Sequence, residues 1–200
     1  LALSREDMHF LTWEHPMVSG AMDMVLNDEF GNTALCSIKL PPLKPGTLLA
    51  EAIFVINCAA PKSLQLQRHL PLSTIRIIVD SNNNDLSNVI SFEHINKLGE
   101  KVPKRVAQDL VRHTRADITE LVKRSESLAQ KQHSTIIEAA IEQMQAQQNA
   151  ELQRLQALSE VNPNIRQEEI NYIKDKIETM KRYLQSATIK LDALRIAVTT

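Results

Sequence analysis

The spacing of apolar residues changes period along this chain. From Met17 through Leu26, the residues Met17, Val18, Ala21, Met22, Val25 and Leu26 recur at steps of three and four, one buried face of an amphipathic helix that Gly31 and Asn32 end. Ser4 and Asp7 form a weak capping pair for a shorter helix before it, through about Leu11. The period then shortens. Residues Thr33 to Leu40, Thr47 to Asn57, Thr74 to Asp80 and Asn88 to His94 are short apolar or β-branched runs between turn residues, and predict four strands. Pro41, Pro42, Pro45 and Gly46 separate the first two, and the polar run Asp80 to Asp85 turns the chain between the last two. An antiparallel sheet is the simplest arrangement. The piece Pro61 to Leu72, with Leu64, Leu66 and Leu70, is either a further strand or a crossover above the sheet.

Lys104 to Leu158 contains neither Gly nor Pro and is dominated by good helix formers, so it predicts one very long helix, continuous or kinked. Val161-Asn162-Pro163-Asn164 forces a turn, because Pro163 clashes backward and disfavours a helical Asn162. Beyond it, Ile170, Ile173, Ile177, Met180, Leu184, Ala187, Leu191, Leu194 and Val198 alternate steps of three and four, the seam of a coiled coil. Its partner face is Leu158, Leu155, Leu152, Met144, Ile141 and Ile137, and the short connection requires antiparallel packing. Such a hairpin pairs Val198 with roughly Glu126 and leaves an overhang from Lys104 to about Ser125, roughly 33 Å long. The predicted class is α+β: a body of N-terminal helices and a small antiparallel sheet over 1–100, and a long helical hairpin over 101–200, packed as one domain.

Composition narrows the chemistry. With 43% hydrophobic residues in 200, the chain can fill a core, and its formal net charge of -1 excludes a polycation. Cys36 and Cys58 lack the spacing of a zinc ribbon or a disulfide framework and suit a reducing, cytoplasmic compartment. No apolar run is long enough to span a membrane, and the N-terminus lacks the order of a signal peptide. The start at Leu1 in place of Met implies excision from a longer polypeptide. Gly20, Gly31, Gly46 and Gly99 are too dispersed for a phosphate-cradling loop, so neither ATP nor another cofactor is expected here.

Several small constellations have ordinary readings. Asp80-x-Asn82-x-Asn84 copies the opening of a calcium loop, but Asp85 replaces the glycine at its bend and Ser91 replaces the final glutamate, so a solvated turn is expected. His9, Trp13 and His15 have the makings of a stacking or metal site, yet an aromatic anchor for the N-terminal helix suffices. His113 and Asp117, one helical turn apart, read as a surface pair. No recognisable nucleophile motif occurs, and the segment is expected to be non-catalytic, with no catalytic, cofactor or metal residue.

Charge is uneven. Residues 1–100 carry 7 basic and 11 acidic side chains, and residues 101–200 carry 16 and 13. On a helical wheel Lys101, Lys104, Arg105, Arg112, Arg115 and Lys123 share one sector of roughly 100°, a basic stripe. Val106, Ala107, Leu110, Val111, Ile118 and Leu121 occupy another sector, expected to pack. The stripe is the candidate contact for phosphates or an acidic protein surface, with a merely solvated face as the alternative.

Phe10-Leu11-Thr12-Trp13-Glu14-His15-Pro16-Met17-Val18, Val161-Asn162-Pro163-Asn164-Ile165-Arg166 and Leu191-Asp192-Ala193-Leu194-Arg195, in this order of sheet section, long helix and returning helix, resemble one known region. It is the C-terminal domain of the RapA family, bacterial RNA polymerase-associated ATPases of SWI/SNF type. The resemblance covers essentially the whole chain. It implies a parent that binds core RNA polymerase, uses ATP and Mg in an upstream motor and recycles stalled polymerase in the bacterial cytoplasm. For this segment it implies a non-catalytic accessory domain, docked on the motor domains of its own chain, with polymerase, DNA or RNA as further partners, no membrane, and a monomeric state when isolated. It names no binding residue, so the stripe rests on charge alone. The alternative is a structural module that oligomerises through the Ile170–Val198 seam.

Overall fold

The computed structural model describes residues 15–18, 32–162 and 164–200. Its contacts separate two units, Leu1–Ala34 and Leu35–Thr200. In the first, residues 16–18 form a helical turn in which Val18 N donates to His15 O at 2.9 Å. The other residues of the expected N-terminal helices lie outside the described residues.

The elements that follow are β1 (Thr33–Ile38), β2 (Leu48–Asn57), β3 (Thr74–Asp80), α1 (Phe92–Leu98), β4 (Glu100–Lys101), α2 (Lys104–Val161), α3 (Gln167–Gln185) and β5 (Thr188–Thr199). The class is α+β. One mixed sheet has the order β3-β2-β5-β1-β4, in place of a wholly antiparallel one, and Thr200 N donates to Ile38 O so that β5 and β1 end together.

The returning helix is shorter than its heptad spacing implies. It ends at Gln185, where Ser186 N donates to Arg182 O and Tyr183 O, and residues 188–199 form the middle strand of the sheet. β5 pairs antiparallel with all of β2, from Leu48 opposite Val198 to Asn57 opposite Thr188. A bulge accounts for the heptad-like spacing: Ile53 pairs with Ala193 and Phe54 with Leu191, which leaves Asp192 over. That extra residue turns the two-residue step of a strand into the three-residue step from Leu191 to Leu194, which completes a false heptad with Ala187 and Val198. The coiled-coil oligomer loses its seam for the same reason. Ile170, Ile177, Met180 and Leu184 are buried within the chain.

Two further expectations change. Asn88–His94 is not a strand: Ser91 Oγ accepts from His94 N at 3.1 Å and caps α1. Pro61–Leu72 forms two short 3-10 turns joined at Gln65, which adopts φ 51°, and it drives Leu66 and Leu70 into the core.

α2 is bent at Thr114, whose φ of -107° and ψ of 16° leave the helical region while its Oγ1 donates to Leu110 O at 2.9 Å. Its 58 residues extend about 87 Å against about 28 Å for the 19 of α3, so the hairpin covers only the C-terminal third of α2. The middle of α2 instead lies on the sheet, through Leu121, Ser125, Ala129, His133 and Ile137. Each step of four advances this buried line by about 40° around the axis, so the helix crosses the strands obliquely. Ser125 and Ala129, both fully buried, keep the crossing close. His133 is buried there with neither ring nitrogen hydrogen-bonded.

The core has two parts, one on each face of the sheet. Phe54, Ile77, Met144, Met180 and Leu184 belong to the face under α2 and α3, while Ile38, Leu49, Ile78, Ile90 and Ile95 lie beneath α1.

Candidate interface at the N-terminal end of the long helix

The six stripe residues are all exposed, but they do not share one helix. Lys101 lies on β4, opposite Cys36 of β1, and Pro103 separates it from α2. Lys104 and Arg105 open α2, Arg112 precedes the bend at Thr114, and Arg115 and Lys123 follow it. Among the described residues only Arg112 of these six has an ion-pair partner, Asp109 Oδ1 at 3.8 Å, and both side chains are exposed, so the pair holds little energy.

The packing face expected beside them divides at the bend. Ile118 and Leu121 join the core, whereas Val106 is 55% and Val111 43% exposed and Ala107 and Leu110 are half-buried. The oblique crossing limits the stripe as well. By His133 the line facing the sheet has rotated into the angular sector that the cations occupy near the start of α2, so a basic stripe cannot continue there without burial.

Pro103 caps α2 without a side-chain hydrogen bond, and the first turn holds no acidic residue. Lys104 and Arg105 therefore stand where the helix dipole is positive, an arrangement that weakens the helix.

The smaller constellations resolve locally. Asp80 Oδ1 accepts from Asn82 N at 2.9 Å and Asn84 N at 2.8 Å, and its Oδ2 accepts from Asn84 Nδ2 at 2.8 Å. The carboxylate that resembles a calcium ligand is thus occupied in closing the turn. His113 Nδ1 meets Asp109 O at 2.6 Å, not Asp117. His15 Nδ1 accepts from Met17 N at 3.1 Å, while His9 and Trp13 lie outside the described residues.

The described thiols are free. Burial pushes the Cys36 thiol above its ordinary pKa, opposed by Arg195 and reinforced by Glu51, and burial raises Cys58 likewise. His69 is lowered, first by burial and then by the charges of Arg68 and Lys176, and its Nδ1 has no partner. At the far end of α2 an exposed hydrogen bond from Arg154 lowers Glu151.

One polar cluster has no counterpart in the reading of motifs. Glu51, 3% exposed, holds Arg76 Nε at 2.6 Å and Arg195 Nε at 3.0 Å. The guanidinium carbons lie 5.9 and 5.4 Å from the Phe92 ring centre, Arg195 Nη1 donates to Asn96 Oδ1 at 2.7 Å and Arg76 Nη1 to Ile90 O at 2.7 Å. The cluster ties three strands to α1. Its signal lies in composition: three apolar runs, LLAEAIFV, TIRIIV and ALRIAV, each hold a single charge, and one sign differs from the other two.

The model for the C-terminal region of the RNA polymerase recycling family matches residues 1–199. The chain belongs to that family. It is 42% identical over 197 residues to the "RNA polymerase-associated protein RapA" of Photobacterium profundum, covering 98% of this chain and 20% of that protein. The proteins of the same name from Vibrio cholerae El Tor Inaba N16961 and Pseudomonas putida W619 are also 42% identical over 98% of the chain, and 20% and 21% of their own lengths. The chain therefore spans about a fifth of these relatives. Among the described residues no helix is long and apolar enough to cross a membrane.

Proposed function

We propose that this chain is a non-catalytic accessory domain at the C-terminal end of an RNA polymerase-associated ATPase of the bacterial cytoplasm. The sheet body docks on the motor domains of the same polypeptide, and the basic end of α2 meets nucleic-acid phosphates beside polymerase. ATP and Mg belong to the upstream motor in this reading, and no residue of this chain is assigned to them.

The observation that carries the nucleic-acid contact is the placement of Lys104 and Arg105 at the positive end of a long helix, exposed and continued by Arg112 and Arg115. Helix stability disfavours those cations, whereas a phosphate backbone would satisfy them. Family membership supports the association with polymerase, since the relatives bear that association in their names.

The test compares the parent protein with and without these 200 residues for binding to core RNA polymerase and for ATPase rate, then adds the isolated domain back. Loss of polymerase binding supports docking to polymerase, and a raised basal ATPase supports restraint of the motor. Arg112→Glu with Arg115→Glu should weaken nucleic-acid binding and flatten its dependence on salt. If polymerase binding, ATPase rate and salt slope all stay unchanged, the reading fails.

A further inference from the structure

The two ends of α2 carry opposite charge, and both run against the helix dipole. Residues 104–124 hold six basic and three acidic side chains, while residues 138–161 hold four acidic and one basic. The last turn of α2 has no basic residue, and Glu160 stands next to its final residue. An anion at a helix C-terminus is destabilising, so the fold of α2 gives no reason for Glu160.

The same end keeps apolar surface that the hairpin does not cover. Leu155, Leu158 and Val161 follow one another at three-residue spacing along one side of the helix. Sequence pairing assigns Leu158 to the interface with α3, yet it is 38% exposed, and Val161 is 79% exposed. From α3, Tyr172 is 68% exposed. Leu155 and Tyr172 line an open groove of about 560 Å³ between the helices, with Glu168 and Glu169 along it, Glu151 held by Arg154 at 2.7 Å, and Lys176 as the cation of its lining. Single exposed apolar residues are ordinary, but a row that leads out of a groove at the end of a helical hairpin has the make-up of an interface.

We infer that the hairpin tip is a docking surface for a basic face of a protein partner. A long apolar side chain of the partner enters the groove, and its lysines or arginines face Glu160, Glu168 and Glu169. The same charge repels nucleic acid, so the arm divides its contacts: phosphates at the basic end, protein at the acidic end. The inference rests on the accessory-domain reading and adds to it the surface that meets protein.

The probe is core RNA polymerase, mixed with the full-length protein carrying Glu160→Lys, or carrying Val161→Ser with Tyr172→Ser, or carrying a photo-crosslinking amino acid at position 172. Each substituted side chain is exposed, so the fold should survive, and Glu160→Lys should leave Tm unchanged or raise it because it relieves the dipole conflict. The expected result is an affinity for polymerase about tenfold lower for either variant at low salt, unchanged nucleic-acid binding in Val161→Ser with Tyr172→Ser, whose charge is that of the parent, and a crosslink from position 172 to a polymerase subunit. Full affinity in both variants, while deletion of the 200 residues abolishes binding, would overturn the tip and leave the domain reading standing. A crosslink from position 172 to a second copy, or to another part of its own chain, would overturn it too. Deletion without effect on polymerase binding would overturn this inference, while motor docking and the phosphate contact stand or fall on the ATPase rate and the salt slope.

Discussion

Glu51 of β2 stands directly opposite Arg195 of β5 and accepts from its Nε at 3.0 Å, while its other oxygen holds Arg76 Nε of β3. A single buried carboxylate thus joins two strands to its own, with both guanidiniums sheltered beside Phe92. Removing it would leave two arginines without their counter-charge. Glu51→Ala should cost about 3 kcal/mol in urea unfolding, and Glu51→Gln, which keeps the shape and one acceptor, should cost less.

Ala129 is fully buried where α2 crosses the sheet. Ala129→Leu should destabilise the domain by about 1–3 kcal/mol, because the larger side chain lifts the helix from its strands. Ala139→Leu, on the exposed side of the same helix, should be nearly neutral. Equal melting curves for the two variants would contradict the close crossing.

Gly99 ends α1 with an ordinary φ of -72°, so its conformation does not demand glycine. Space does. A Cβ there would lie 2.9 Å from Ile95 O, the oxygen that accepts from Gly99 N, with Cys36 Sγ behind it at 3.6 Å. Gly99→Ala should lose about 1–3 kcal/mol in denaturant titration, although alanine favours helices.

His69 supplies a dependence on pH. Burial, Arg68 and Lys176 hold its pKa in the folded protein below the unfolded value of 6.5, so the neutral ring is the form that the fold accepts. Its contribution to stability is complete above pH 6.5 and declines as pH falls toward the folded pKa. His69→Gln should therefore flatten the fall of Tm below pH 6.5, and Lys176→Gln should make that fall shallower by raising the folded pKa partway back. The Lys176 substitution reduces the loss without abolishing it.

Lys104→Glu with Arg105→Glu should produce opposite effects on stability and binding. Acidic residues in the first turn of α2 complement the dipole, so Tm should rise, by the equivalent of about 0.3–1 kcal/mol per residue at low salt. Affinity for a short DNA duplex should fall in the same protein. A rise in Tm with unchanged affinity would assign these cations to solvent.

Much of the fold is legible where local and tertiary preferences agree. Thr74–Asp80 matches β3, and the run without glycine or proline matches α2 from Lys104 to the break before Pro163. Sequence pattern and fold part where one spacing serves two structures. The bulge at Asp192 gives β5 the spacing of a heptad, and the cap at Ser91 opens a helix inside a run that looks apolar enough for a strand. The basic stripe was legible as charge, whereas the bend at Thr114 and the position of Lys101 on β4 depend on packing that periodicity does not encode. The Glu51 cluster was hidden because its three charges come from strands distant in sequence, and only the register brings them together.

The central place of β5 governs how this domain can be made. β2 leaves the ribosome well over a hundred residues ahead of the strand that will bond to it, with the entire arm synthesised in between. Until Thr188–Thr199 emerges, the nascent β2 has one neighbour and an open edge, a state prone to wrong pairing and slow to resolve. A translation arrest or proteolytic cut before Thr188 would therefore remove the middle of the sheet, and a chaperone that shields β2 during synthesis would raise the yield of folded protein.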